Sequence, residues 1–314
     1  MLANFIRWLA TKKRLTDAIG RHGMRQGFAR RFVAGESLDD AIAACSELAR
    51  AGCRVTLNHL GENVTSPDEA RTSRDSYIRT LERLESARLD GNISIKLTQL
   101  GLDLDRELCL SLTQDIAARA ASLHGTIEID MEGSTYTEAT LQIYETVQRQ
   151  YGNVAIAIQA YLRRSLGDLD RLSPLNPKVR LVKGAYRESA TLAFQKKAEV
   201  DANYCRLLDR AFADNASGRI SPAIASHDPA ILAYSKAKIA EHHVSQEHYE
   251  FQMLLGIRRD LQEELLQQGH PLRIYVPWGT AWCPYFMRRL AERPANIRFV
   301  LQSLLSEKKA ARQP

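Results

Sequence analysis

The sequence predicts an α/β protein built as a closed (β/α)8 barrel of the TIM type, and three observations lead there. Eight short β-like runs alternate with longer segments of helical apolar spacing. Successive runs are joined by crossovers of about 15–30 residues, and only such a connection returns the chain to the same end of a sheet, so the strands pair in parallel. No GxGxxG turn follows any run, whereas an open doubly wound sheet ordinarily announces its nucleotide site that way. No low-complexity linker divides the chain. The expected organisation is one barrel domain over residues 36–314, preceded by a helical extension over residues 1–35.

The first predicted strand is Cys53–Asn58 (CRVTLN). A helix follows over Ser66–Ala87, with Ser66 as N-cap, Pro67 at the first helical position, acids at 68 and 69, and Ile78, Leu81 and Leu84 on one face. The second strand is Asn92–Thr98 (NISIKLT), followed by a helix over Glu107–Leu123. The third is Thr126–Met131 (TIEIDM), followed by a helix over Tyr136–Tyr151. The fourth is Val154–Gln159 (VAIAIQ) and the fifth Val179–Lys183 (VRLVK), with a helix over Thr191–Ala213. The sixth is Pro222–Ser226 (PAIAS), followed by a helix over Pro229–Glu241. The seventh is placed at Val244–Tyr249, a run weakened by internal polar residues, with a helix over Ile257–Gln268. The eighth is Leu272–Val276 (LRIYV). Most runs are rich in Val, Ile or Thr, which suit a pleated surface.

With 45% hydrophobic and 25% charged residues in 314, the chain falls outside the collagen-like, mucin-like and disordered classes. No stretch approaches the roughly 20 apolar residues of a membrane-spanning helix. Five Cys without a CxxC spacing support neither a disulfide framework nor a structural zinc site, and suggest a reducing, cytoplasmic compartment. His22, His59, His124, His242, His243, His248 and His270 show no metal-ligand spacing on a shared helix face, so no metal is expected. Net charge is +6, but residues 1–31 hold eight Lys or Arg against Asp17 alone. The remainder is near neutral, which argues against nucleic-acid binding. The basic start also carries Phe5, Ile6, Trp8 and Leu9. It reads either as a helix packed on the domain or as a peripheral contact with an anionic inner-membrane surface. It is Arg-rich and acid-poor like a transit peptide, but poor in Ser.

In such a barrel, chemistry sits at the carboxyl ends of the strands and in the loops just beyond. That rule selects Glu62, Lys96, Asp130 with Met131, Gln159, Arg180 through Tyr186, Ser226 with His227, the Glu250–Gln252 stretch, and Tyr275. Lys96, Asp130 and Arg180 interrupt apolar strands, and a charge there is costly unless paired, so each should have a partner near the barrel mouth. On alternation, Arg180 and Lys183 face opposite ways unless the chain breaks at Gly184. Three readings stay open at this level. One is a Schiff-base lyase using Lys96 or Lys183. Another is a redox site whose cofactor supplies the chemistry. The third is a paired inner layer in a catalytically silent binder.

The ordered pieces LGE (60–62), SIKLTQLGL (94–102), IDMEG (129–133), IQAYLRRS (158–165), RLVKGAYRE (180–188), SHD (226–228), EFQML (250–254) and YVPWG with RRLAERPAN (ending at 296) resemble the proline dehydrogenase family. The likeness is strongest to its short monofunctional bacterial type, and covers roughly residues 55–300. It implies a distorted barrel whose last helix lies over the mouth, and FAD as cofactor. The implied reaction is oxidation of L-proline to Δ1-pyrroline-5-carboxylate, the first step of proline catabolism to glutamate. Hydride would pass from proline C5 to flavin N5, and electrons onward to a membrane quinone. Oligomeric state is left open. By matching motif, Lys96, Arg288 and Arg289 are expected to hold the proline carboxylate, since a guanidinium pair forks onto both oxygens. Glu292 would orient the two arginines. Tyr275 and Leu254 would pack on the ring. Asp130 matches the active-site aspartate, and Arg180 the arginine beside the flavin, where a cation stabilises developing negative charge. Met131, Gln159, Lys183, Gly184, Ala185, Tyr186, Ser226 and His227 match flavin contacts, with barrel-mouth packing as the alternative for Tyr186 and Tyr161. Gly184 would let the backbone approach a ligand closely. Glu62 is expected to pair with Arg288 as a gate. Two departures stand out: Arg187 occupies a position often Trp in the family, and Ser226 one often Thr.

Overall fold

The computed structural model describes residues 29–215, 219–283 and 285. Most of the N-terminal extension lies outside the described residues. So does the helix expected over the barrel mouth, with Arg288, Arg289 and Glu292.

Among the described residues the helices and strands begin with α1 (Leu38–Arg50), β1 (Arg54–His59), α2 (Pro67–Ser86), β2 (Asn92–Ile95), α3 (Arg106–Ser122), β3 (Thr126–Ile129), α4 (Ser134–Tyr151) and β4 (Val154–Gln159). They continue through α5 (Ser165–Leu172), β5 (Lys178–Val182), α6 (Lys197–Asn215), β6 (Ser221–Ala225), α7 (Pro229–Glu241), β7 (Glu250–Leu254), α8 (Arg259–Gln267) and β8 (Leu272–Trp278). All eight strands are parallel and close into a barrel. Closure runs through β1 and β8, in register from Arg54↔Arg273 to His59↔Trp278.

Local chemistry explains several boundaries. The Ser66 hydroxyl accepts from Glu69 N at 3.2 Å, and Pro67 takes the first helical position, where its missing N–H costs nothing. Asp228 caps α7 in the same way, accepting from Ala230 N at 3.1 Å ahead of Pro229. Outward strand residues such as Leu57, Ile93, Ile127, Ile156, Leu181 and Ile274 join one buried cluster with Leu81, Ile116 and Leu141 of the helices.

Two predicted elements are corrected. The seventh strand is Glu250–Leu254, not Val244–Tyr249, which is turn and coil. Its polar members Glu250 and Gln252 are buried in the barrel, where ion pairs and hydrogen bonds satisfy them, so the true strand lacks an apolar run. The helix expected from Thr191 begins at Lys197, because residues 191–196 instead tie a loop back through Phe194 N to Tyr161 O and Arg163 N to Leu192 O. The second and third strands stop at Ile95 and Ile129, which puts Lys96 and Asp130 just past their ends.

Candidate active site

The carboxyl ends of the strands surround an open cavity of about 500 Å³. Lys96, Asp130, Met131, Gln159, Arg180, Lys183, Gly184, Ala185, Tyr186, Ser226, His227, Leu254, Tyr275 and Glu62 all line it, so every predicted site residue among those described meets in one hollow.

At its floor, Asp130 receives four donors. Ser94 Oγ at 2.7 Å and Arg180 at 2.5 Å reach Oδ1. Lys96 Nζ at 2.9 Å and the Tyr275 hydroxyl at 3.1 Å reach Oδ2. Burial pushes the Asp130 carboxyl up, but Lys96 and Arg180 outweigh it and hold it below its ordinary range. Burial works against the Lys96 ammonium, yet Asp130 raises it well above normal, so it stays protonated. A Schiff-base nucleophile needs the free amine. Lys183 is likewise held between Asp201 and Asp228, the latter at 2.7 Å. This geometry disfavours the lyase reading for both lysines.

The side chains of Lys96 and Asp130 keep 13% and 12% of their surface exposed and are reachable from the cavity. Arg180 lies deeper. Its Nε–H donates to Gln252 at 2.6 Å, and its second terminal nitrogen donates to Glu128, a β3 neighbour of Asp130 on the same inward face. Its guanidinium carbon stands 5.1 Å from the Tyr275 ring centroid. Arg180 thus points inward while Lys183 follows the strand's end, and Gly184 makes the break with φ +113°. A Cβ on Gly184 would lie 2.2 Å from the Tyr161 ring, so the constraint there is the packed tyrosine as well as the backbone. Tyr161 itself packs with Leu162 and Ala193, as its packing alternative expected, while Tyr186 is 38% exposed at the rim.

The apolar part of the lining comes from Met131, Leu254 and the small residues Ala157 and Ala225. Gln159 Nε2 donates to Glu132 O at 2.8 Å, and His227 Nε2 accepts from Leu254 N at 2.9 Å. The neutral His227 imidazole therefore carries its proton on Nδ1. Ser226 Oγ accepts from Asp228 N at 3.1 Å. Among the described residues no cluster of three His, Cys, Asp or Glu side chains is placed to hold a metal ion. No described helix is long and apolar enough to cross a membrane.

Sequence reasoning gave no role to Ser94, Glu128 or Tyr285, and placed Gln252 at a strand end without naming what it does. Tyr285 lines the cavity with the rest, and Glu128 was discoverable because it stands two residues before Asp130 in a strand.

Comparison with known proteins agrees with the motif order. Residues 41–302 match the family described as Proline dehydrogenase. "Proline dehydrogenase 1" of Bacillus subtilis subsp. natto is 39% identical over 307 residues, covering 98% of this chain and all of the relative. "Proline dehydrogenase" of Deinococcus radiodurans is 40% identical over 282 residues, covering 88% and 90% of the two chains. The solved structure of proline utilization A (PutA) from Bdellovibrio bacteriovorus inactivated by N-propargylglycine superposes with a TM-score of 0.79 at 25% identity. It aligns with 87% of this chain, which spans 33% of the larger one. With the barrel, the mouth cavity and near-full-length relatives in agreement, the chain belongs to the proline dehydrogenase family and is a proline dehydrogenase, an oxidoreductase of proline catabolism.

Proposed function

We propose that the enzyme oxidises L-proline to Δ1-pyrroline-5-carboxylate with FAD as cofactor, and that electrons pass on to a membrane quinone. The observation that carries this reading is the cation-rich cavity, in which Lys96 and Arg180 share Asp130 beneath Tyr275.

The residues present fit the cofactor. Apolar Met131 and Ala157 suit the faces of a flat aromatic ring, and Gln159, whose amide both donates and accepts, suits its polar edge. Lys183, His227 and Ser226 offer donors toward a phosphate-bearing tail, and Ala185 and Tyr186 would border it, with Gly184 shaping the turn. When bound, FAD would supply the electron-accepting centre for the hydride leaving proline C5.

Lys96 would anchor the proline carboxylate, helped by Arg288 and Arg289 with Glu292 orienting them. Tyr275 and Leu254 would pack on the pyrrolidine ring. Such positioning contributes on the order of 7–11 kcal/mol in well-oriented systems. The proline amine must lose its proton, because its lone pair stabilises the forming C=N bond. Asp130 is a poor acceptor for that proton: its oxygens already carry four donors and its basicity is depressed. Its role here is to hold Lys96, Arg180 and Tyr275 in register, while the amine proton leaves to water. Glu62, on the rim, would pair with Arg288 as the gate. The basic segment at residues 1–31 supports an inner-membrane surface as the place of quinone reduction.

The visible spectrum of the purified protein tests the reading. Oxidised-flavin bands that bleach on anaerobic addition of L-proline are expected. A colourless protein, or colour indifferent to proline, overturns it.

A further inference from the structure

Beneath the cavity lies a second carboxylate that the reaction does not touch. Glu128 is 1% exposed, and every partner it has is a donor: the Arg180 guanidinium, and Gln252 Nε2 at 3.5 and 3.4 Å from its two oxygens. A carboxyl that only accepts is ionised. Gln252 Oε1 in turn accepts from Arg180 Nε at 2.6 Å, and its Nε2 donates to Glu250 at 2.8 Å. Glu250 is clamped by Arg273 at 2.8 Å and Lys178 at 3.2 Å. The odd strands β3, β5 and β7 thus contribute one interlocked layer, as alternate strands do inside such barrels. Four of the five N–H groups that a guanidinium carries are taken within it and at Asp130 and Ser94. Arg180 has no freedom to swing, and it is shared between two carboxylates.

We propose that Glu128 is a positioning residue that fixes the Arg180 guanidinium from below and sets how much positive charge Arg180 presents to the flavin ring. Asp130 cannot serve this purpose alone, because it also holds Lys96 and Tyr275 on the substrate side. Glu128 has no contact with either, so it adjusts the redox side independently of proline binding. The inference rests on the flavin reading above.

Sulfite is the probe, because it adds to oxidised flavin to give a negatively charged, bleached adduct, so its Kd reports local positive charge. In the holoenzyme, Glu128→Gln removes a negative charge beneath Arg180 and should lower the sulfite Kd about tenfold, the scale of one unit charge acting across a low-dielectric interior. Glu128→Asp keeps the charge and should stay within about twofold of the parent. Glu128→Ala removes the same charge with no amide in its place and should lower the Kd in the same direction, so the outcome does not hang on whether Glu128→Gln folds. A coloured parent whose charge-changing variants bind flavin but leave the sulfite Kd unchanged overturns the inference and leaves the flavin reading standing. A colourless parent overturns both. A purely structural Glu128 would lower the melting temperature and leave the sulfite Kd of the folded enzyme where it was.

Discussion

Four donors converge on Asp130, and that crowding decides how the neighbouring residues act. Each donor is held where the carboxylate wants it, so Lys96 is a fixed, protonated charge at the cavity wall rather than a mobile amine. Lys96→Met removes one charge-assisted contact to a bound carboxylate, about 1.5–3 kcal/mol. The KM for proline should therefore rise roughly 10–100-fold. Flavin content should persist, because Asp130 keeps Arg180, Ser94 and Tyr275. Steady-state kinetics beside the flavin-to-protein absorbance ratio measure both, and an unchanged KM would remove Lys96 from the substrate site. The need for partners at Lys96, Asp130 and Arg180 was legible in the sequence, since a lone charge in an apolar strand is too costly to stand. Which partner each would find was not: Ser94 and Gln252 are ordinary polar residues until the barrel closes and brings β2, β3, β5 and β7 around one point.

The elements differ in how plainly the sequence announced them, and the reason is where each buries its face. Pro229–Glu241 has its predicted bounds because Asp228 and Pro229 mark its start chemically. The helices Leu38–Arg50 and Ser165–Leu172 were not anticipated; the second is only eight residues, too short for a periodic signal. The seventh strand slipped because two of its five residues, Glu250 and Gln252, are charged or amide side chains that belong to the barrel interior, so it offered no continuous apolar run to read. The loop leaving β5 illustrates a constraint of the opposite kind, legible as a glycine but not in its cause. Gly184→Ala places a Cβ 2.2 Å from the Tyr161 ring on a backbone at φ +113°. Overpacking of that sort costs about 1–3 kcal/mol before the backbone strain is added. Gly152→Ala is the control: φ is +71°, but nothing lies within 4 Å. Thermal unfolding should show a clearly larger loss for Gly184→Ala, accompanied by weaker flavin retention. Equal losses would mean that Tyr161 yields freely and does not shape the turn.

At the scale of the whole molecule, the barrel spends its interior on charges rather than on apolar packing, and this makes its stability depend on pH in a way set by opposing groups. For Glu250, burial acts upward, but Arg273 and Lys178 outweigh it and hold the carboxyl far below its ordinary range. A depressed native carboxyl adds stability above its unfolded pKa, about 4.3, and that stability is lost as pH falls toward the native value. Burial pushes Glu128 up, only partly countered by Arg180, so its sign is reversed: its ionisation weakens folding as pH rises from the unfolded value toward the raised native one. Glu132, also raised chiefly by burial, behaves like Glu128. Glu250 and Asp130 therefore drive acid unfolding while Glu128 and Glu132 resist it. Glu250→Gln leaves Arg273 buried with only Asp90 and the Val55 carbonyl, and removing one partner of a buried pair costs about 3–5 kcal/mol. That deficit should be full in urea unfolding at pH 7 and should shrink at pH 3.5, where the unfolded parent already takes up the proton its native Glu250 refuses. A deficit of equal size at both pH values would show that Glu250 supports the barrel through shape alone, and that the ionic layer beneath the cavity contributes nothing to the acid limit of the fold.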